Sequence, residues 1–172
     1  MNHRLKAGLI GVLIVAQSLL LTGCEKPDQV MLADGRGVQF DHWDGRWLVI
    51  NYWAEWCAPC RKEIPELNRL HAERASSGVV VLGVNYDDLR GEKLAALVSE
   101  MGIEFPVLVE DPRFRWSVEQ PAVLPSTLII NPEGEVQQIL VGPQHYEDFQ
   151  RVIGFGSEED GSANGAKPAA GH

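Results

Sequence analysis

The chain has 172 residues, 15 of them Lys or Arg and 24 Asp or Glu, for a formal net charge of −9. That length accommodates one domain with appendages and a core large enough to fold without disulfide staples, and the acidic balance argues against a binder of nucleic acid, which needs clustered cations. Apolar residues at 45%, charged residues at 23% and only three cysteines argue against wholesale disorder and against a disulfide-rich scaffold.

The N-terminus reads as an address. Positions 1–7 carry Arg4 and Lys6 and no acid, and positions 8–21 are apolar apart from Gln17 and Ser18. A membrane-crossing helix needs about 20 apolar residues; a shorter run behind a basic head is the layout of a secretory signal peptide. Leu21-Thr22-Gly23-Cys24 follows and resembles the lipobox of bacterial lipoproteins. The resemblance implies cleavage before Cys24, a diacylglyceryl thioether on Cys24 and acylation of the new N-terminus, several acyl chains making a stable anchor where one is marginal. An uncleaved N-terminal anchor is the alternative, and either form puts the domain outside the cytoplasm on a membrane. Removing residues 1–23 leaves 13 basic residues against 24 acidic ones, a charge of −11. Residues 24–29, with Pro27, read as a tether, and 156–172, rich in Gly, Ser and Ala without an apolar period, as a disordered tail. The folding domain is then 30–155.

Within it, 30–32 and 38–40 flank a glycine-containing turn and read as a hairpin. The β-branched and aromatic run 47–53 reads as a buried central strand. Residues 57–74 carry Ile64, Leu67 and Leu70 at spacings of three, an amphipathic helix that Pro65 should kink. A second buried strand at 79–84 and a helix at 92–101, ended by Gly102, follow. Then come a short strand at 105–109, a helical turn at 113–118, a strand at 126–130, a turn at 131–134, its antiparallel partner at 135–141 and a last helix at 144–153. Alternating strands and helices predict an α/β fold: a mixed central sheet with helices on both faces and an N-terminal β-hairpin.

The sharpest motif is Trp56-Cys57-Ala58-Pro59-Cys60-Arg61, where a buried strand gives way to a helix. A C-x-x-C at that junction is a redox signal. At a helix N-terminus unpaired N–H groups and the dipole favour a thiolate on Cys57. Cys60, one helical turn on, can reach back to it, so Cys57 attacks a substrate disulfide and Cys60 resolves the mixed disulfide. Pro59 suits the first turn, having no N–H to lose. A structural bridge is one alternative, although so short a loop removes little unfolded-state entropy. A zinc site is the other; it needs about four ligands, and His42, His71 and His145 show no paired spacing.

This block is similar to the thioredoxin superfamily, and closest to its envelope thiol-disulfide oxidoreductases of the TlpA/ResA type. The supports are Asp34-Gly35, Asp44-Gly45-Arg46, the Trp56-to-Arg61 motif, Glu63-x-Pro65, Gly83-Val84-Asn85, Phe105-Pro106-Val107, Leu124-Pro125-Ser126-Thr127 and the Asn131-to-Gly134 turn. The resemblance implies a thioredoxin-like fold and a catalytic Cys57/Cys60 pair that works without cofactor or metal. It implies that Pro125 is a cis-proline facing the disulfide, and that the backbone of Leu124, with Trp56, Ala58 and Pro59, meets the substrate. Two positions depart from the pattern. Val123 stands where many relatives have Gly, which affects the groove. Asn51 stands where thioredoxins bury an Asp that relays a proton, and Asn exchanges none; Glu63 matches the acid this branch places near the pair and is expected to tune or shuttle the proton of Cys60, a first-turn Glu serving only the helix dipole being the plainer role. The resemblance further implies a periplasm-facing protein, a disulfide-containing envelope protein as substrate and a membrane protein passing electrons from the cytosol as thiol donor. An oxidant or isomerase of the same fold and a non-catalytic binding module are the rivals; a peroxidase of related fold would need a Thr-containing loop around one peroxidatic cysteine, absent from this sequence.

Overall fold

The computed structural model describes residues 28–154. The signal segment 1–23, the lipid-attachment candidate Cys24, most of the 24–29 tether and the 156–172 tail lie outside the described residues.

Two short antiparallel strands, β1 (Gln29–Met31) and β2 (Gly37–Gln39), open the fold, followed by a 3-10 helix at Phe40–Trp43. Then come β3 (Trp47–Trp53), α1 (Ala58–Arg74), β4 (Val79–Asn85), α2 (Gly91–Glu100), β5 (Val107–Leu108), a 3-10 helix at Pro112–Trp116, β6 (Ser126–Ile130), β7 (Val136–Val141) and α3 (Tyr146–Ile153). The sheet order is β5-β4-β3-β6-β7, with β3, β4 and β5 parallel and β6 and β7 antiparallel to their neighbours. This is the expected mixed sheet of a thioredoxin-like fold. The hairpin extends it: Leu32 bridges Leu108, and Ala33 N–H donates to Val107 O at 2.8 Å, covering the outer edge of β5.

β3 lies in the middle because its residues suit burial on both faces. Val49 and Trp53 pack with the buried faces of α1, α2 and α3, represented by Ile64, Leu67, Leu94 and Phe149. Leu48, Ile50 and Tyr52 point the other way, toward Val30 and Leu32 of the hairpin segment and toward Phe40 and Trp43. Helices therefore meet both faces in unequal form: α-helices on one, 3-10 turns and the hairpin on the other.

Three details position the redox motif. Trp47 N–H donates to Gly78 O, and Arg46 Nη2 to Ala75 O at 2.8 Å, tying the start of β3 to the far end of α1. Gly78, at φ +81°, makes the left-handed turn between them, which a residue with a Cβ resists. Pro65 removes one backbone donor, yet α1 runs unbroken from Ala58 to Arg74.

Candidate active site

β3 ends at Trp53, and four residues later the chain turns into α1 with Cys57 as its N-cap. Cys57 has extended backbone (φ −84°, ψ 93°), and its Sγ accepts from Cys60 N–H at 3.2 Å. The two cysteines form a disulfide and are 4% and 1% exposed. No acid stands in the first turn of α1, while Arg61 and Lys62 follow directly. Helix N–H groups and nearby cations both favour negative charge on Cys57 Sγ once the pair is reduced. Ala58 and Pro59 between the cysteines are exposed, so the bridge is buried but its flank is open to an approaching chain.

One helical turn beyond Cys60 lies Glu63, 1% exposed. Asn51 Nδ2, from the middle of β3, donates to Glu63 Oε2 at 2.8 Å and to Thr127 Oγ1 of β6 at 2.9 Å. Gln144 N–H, just before α3, donates to Glu63 Oε1 at 2.9 Å. Tyr146 N–H donates to Glu66 Oε2, so two carboxylates of α1 face the N-terminal end of α3. Burial nevertheless dominates and pushes the Glu63 carboxyl up to about 7, against the lowering effect of the Gln144 and Asn51 hydrogen bonds. A buried acid titrating near neutrality is suited to giving and taking protons.

The Leu124–Pro125 peptide bond is cis. Tyr52 in β3 pairs with Ser126 in β6, so the residues just before β6 and those just after β3 share one end of the sheet. That register brings Leu124-Pro125 to the end that carries the Cys57 turn. Leu124 is half-buried against both cores, Pro125 is buried, and Val123 is 54% exposed with its carbonyl accepting from Ser126 Oγ at 2.8 Å. Where a glycine would leave a gap, a valine side chain stands in solvent.

Trp56 is 65% exposed. Its indole N–H reaches both oxygens of Asp87, at 3.1 and 3.2 Å, and its ring meets Tyr86 edge-on at 6.2 Å between centroids. Trp53, by contrast, is wholly buried. The candidates named from sequence thus gather at one end of the sheet, apart from Cys24, which is outside the described residues. Thr127 figures in the sequence only within the Leu124-to-Thr127 motif, and Gln144, Tyr86 and Asp87 carry no site signal there. Gln144 acts through its backbone N–H, which leaves no side-chain signature, and Asp87 is one acid among many in an acidic chain. Among the described residues no group of three or more His, Cys, Asp or Glu is arranged to hold a metal ion, and no helix is long and apolar enough to cross a membrane.

Comparison with known proteins agrees with this geometry. The AhpC/TSA family model matches residues 23–139. The thiol-disulfide oxidoreductase ResA of Geobacillus kaustophilus is 30% identical over 140 residues, covering 80% of this chain and 79% of the relative. ResA of Bacillus subtilis is 29% identical over 123 residues, covering 70% and 67%. Among solved structures, a thiol:disulfide interchange protein of the thioredoxin family from Chlorobium tepidum TLS superposes with a TM-score of 0.64 at 25% identity, covering 74% of this chain and 91% of that one. The chain belongs to the AhpC/TSA family and is a thioredoxin-like thiol-disulfide oxidoreductase similar to the ResA proteins.

Proposed function

We propose that this oxidoreductase is tethered to a bacterial membrane by lipid on Cys24 and reduces disulfides of envelope proteins through a Cys57/Cys60 cycle. The observation that carries the cycle is the pair itself, bridged across the first turn of a helix that buries one face, with Cys57 Sγ accepting a helix N–H. In the reduced protein, the Cys57 thiolate attacks one sulfur of the substrate disulfide. A mixed disulfide forms and one substrate thiolate leaves. Cys60 then gives up its proton and attacks Cys57 Sγ, which forms the Cys57–Cys60 disulfide and releases the second substrate thiolate. Two electrons pass to the substrate, whose two sulfurs each take a proton. Glu63, one turn beyond Cys60 and held by Asn51 and Gln144, is the acceptor proposed for the Cys60 proton. Trp56, Ala58, Pro59 and Leu124 form the surface the substrate meets, beside the cis bond at Pro125.

Each turnover leaves the pair oxidised, so a thiol-donating membrane protein completes the cycle. The tether rests on the lipobox-like Leu21-Thr22-Gly23-Cys24 behind an apolar run, and the envelope location follows from it. The cycle is tested by insulin reduction with wild type and Cys57→Ser: activity is expected from the first and none from the second, while equal inactivity favours a binding module. Cys60→Ser is expected to hold the substrate on Cys57 as a mixed disulfide. The tether is tested by lipid labelling: Cys24→Ala should lose the label and leave the membrane fraction, and retention of both would contradict it.

A further inference from the structure

The end of the sheet opposite the redox pair holds a cavity of about 330 Å³, between the start of β3 and the turn that follows β6. Phe40, Trp43 and Trp116 in its wall belong to the core that faces away from α1. Phe40 and Trp43 are buried, and Trp116 is half-buried, its indole N–H donating to Gly134 O at 3.0 Å. The charged groups around the cavity are not paired with one another. Arg46 Nη2 donates to Ala75 O and the guanidinium meets no carboxylate, while Asp44 and Glu133 meet no cation among the described residues. One cation beside two anions complements a zwitterion better than a simple anion.

The start of the described chain lies against the same wall. Asp28 O accepts from Phe40 N–H at 2.8 Å. Arg115 pairs with Asp28, and its guanidinium stacks on the Phe40 ring at 3.8 Å. Cys24 is four positions before Asp28, a reach of at most about 14 Å. Lipid on Cys24 would therefore keep this end of the domain close to the bilayer surface. The redox end is remote from it, since β3 rises about 20 Å on the way to the Cys57 turn.

We infer that this end of the domain docks on the membrane, and that the cavity takes the zwitterionic headgroup of a phosphatidylethanolamine. The primary ammonium donates to Asp44 and Glu133, the phosphate lies toward Arg46, and Trp116 sits at headgroup depth, where indole rings are favoured. The inference rests on the reading that Cys24 carries lipid, and it adds an orientation: the Cys57 end points away from the bilayer. An anionic headgroup fits poorly, because it sets a second negative charge beside Asp44 and Glu133 in an acidic chain. A choline headgroup has no N–H to donate.

The test uses the lipid-bearing protein on vesicles of phosphatidylcholine mixed equally with phosphatidylethanolamine or with phosphatidylglycerol, read by amide hydrogen exchange. Exchange in 40–46 and 131–135 should be about fivefold slower on the ethanolamine vesicles than on the glycerol ones. Exchange in 54–62, at the redox end, should be alike on both. Asp44→Asn combined with Glu133→Gln, both exposed positions, should abolish the difference. Equal exchange on the two vesicles in wild type would overturn the inference, as would a difference that survives the double variant or protection centred on the redox end. If mass spectrometry finds no lipid on Cys24 and the protein does not float with vesicles, the tether reading fails instead.

Discussion

Asn51 donates from Nδ2 to Glu63 Oε2 at 2.8 Å, joining the middle of the central strand to the helix one turn beyond Cys60. The same nitrogen holds Thr127 on the next strand, so the acid is clamped to the sheet and not free to follow solvent. Asn51 itself exchanges no proton. It orients the group proposed to do so.

A carboxylate near a thiol disfavours the thiolate. Glu63→Gln should therefore lower the Cys60 thiol pKa, by about half a unit or more. Alkylation rate against pH in a Cys57→Ser background reads this directly. An unchanged Cys60 pKa would leave Glu63 with a structural role only.

Burial lifts Glu63 from 4.5 to about 7, so the folded protein keeps a proton that the unfolded chain releases above pH 4.5. The stabilisation from this group is complete below pH 4.5 and is lost as pH rises through 7. Between those limits wild type should lose up to about 3 kcal/mol relative to Glu63→Gln. Urea titrations of both proteins at pH 4.5, 6 and 8 measure the difference; parallel curves would show that Glu63 does not titrate in this range.

Gly83 sits in β4 where a Cβ would come within 3.0 Å of Phe105 Cε2, Trp53 Nε1 and Val107 Cγ2. All three are side-chain atoms of a close-packed core, so Gly83→Ala should destabilise by about 1–3 kcal/mol. Because Trp53 leads into the Cys57 turn, insulin reduction should fall as well. Thermal unfolding that matches wild type would show that the core yields without cost.

Asp87 holds the exposed Trp56 ring through its indole N–H. Asp87→Ala should free that ring beside Cys57 and raise KM for a protein disulfide about threefold, at a stability cost below about 1 kcal/mol. Steady-state insulin reduction and a melting curve separate the two effects.

Much of this was legible in the sequence because local signals and burial agreed. The strand at 47–53 and the strand at 126–130 have the bounds expected from their β-branched and aromatic runs. The strand expected at 105–109 shrinks to Val107–Leu108, since Pro106 has no N–H to give a ladder. The hairpin was expected, but not that Leu32 would bridge Leu108; that contact spans 76 positions and has no local signature. Phe40, expected at the end of the strand 38–40, instead opens the 3-10 helix at Phe40–Trp43, because Phe40 and Trp43 answer to a distant core. At the site, the cysteines stood out by spacing, and Glu63 and Pro125 through the family resemblance. The clamp on Glu63 did not, because it combines an asparagine from one strand, a threonine from another and a backbone N–H 81 positions away.

The central claim is that this domain donates electrons to disulfides. Equilibration of the Cys57/Cys60 pair against dithiothreitol or glutathione buffers gives its reduction potential. A reductase should lie near or below the value of about −270 mV typical of thioredoxin. A potential at or above about −180 mV, in the range of disulfide isomerases and oxidants, would contradict the account.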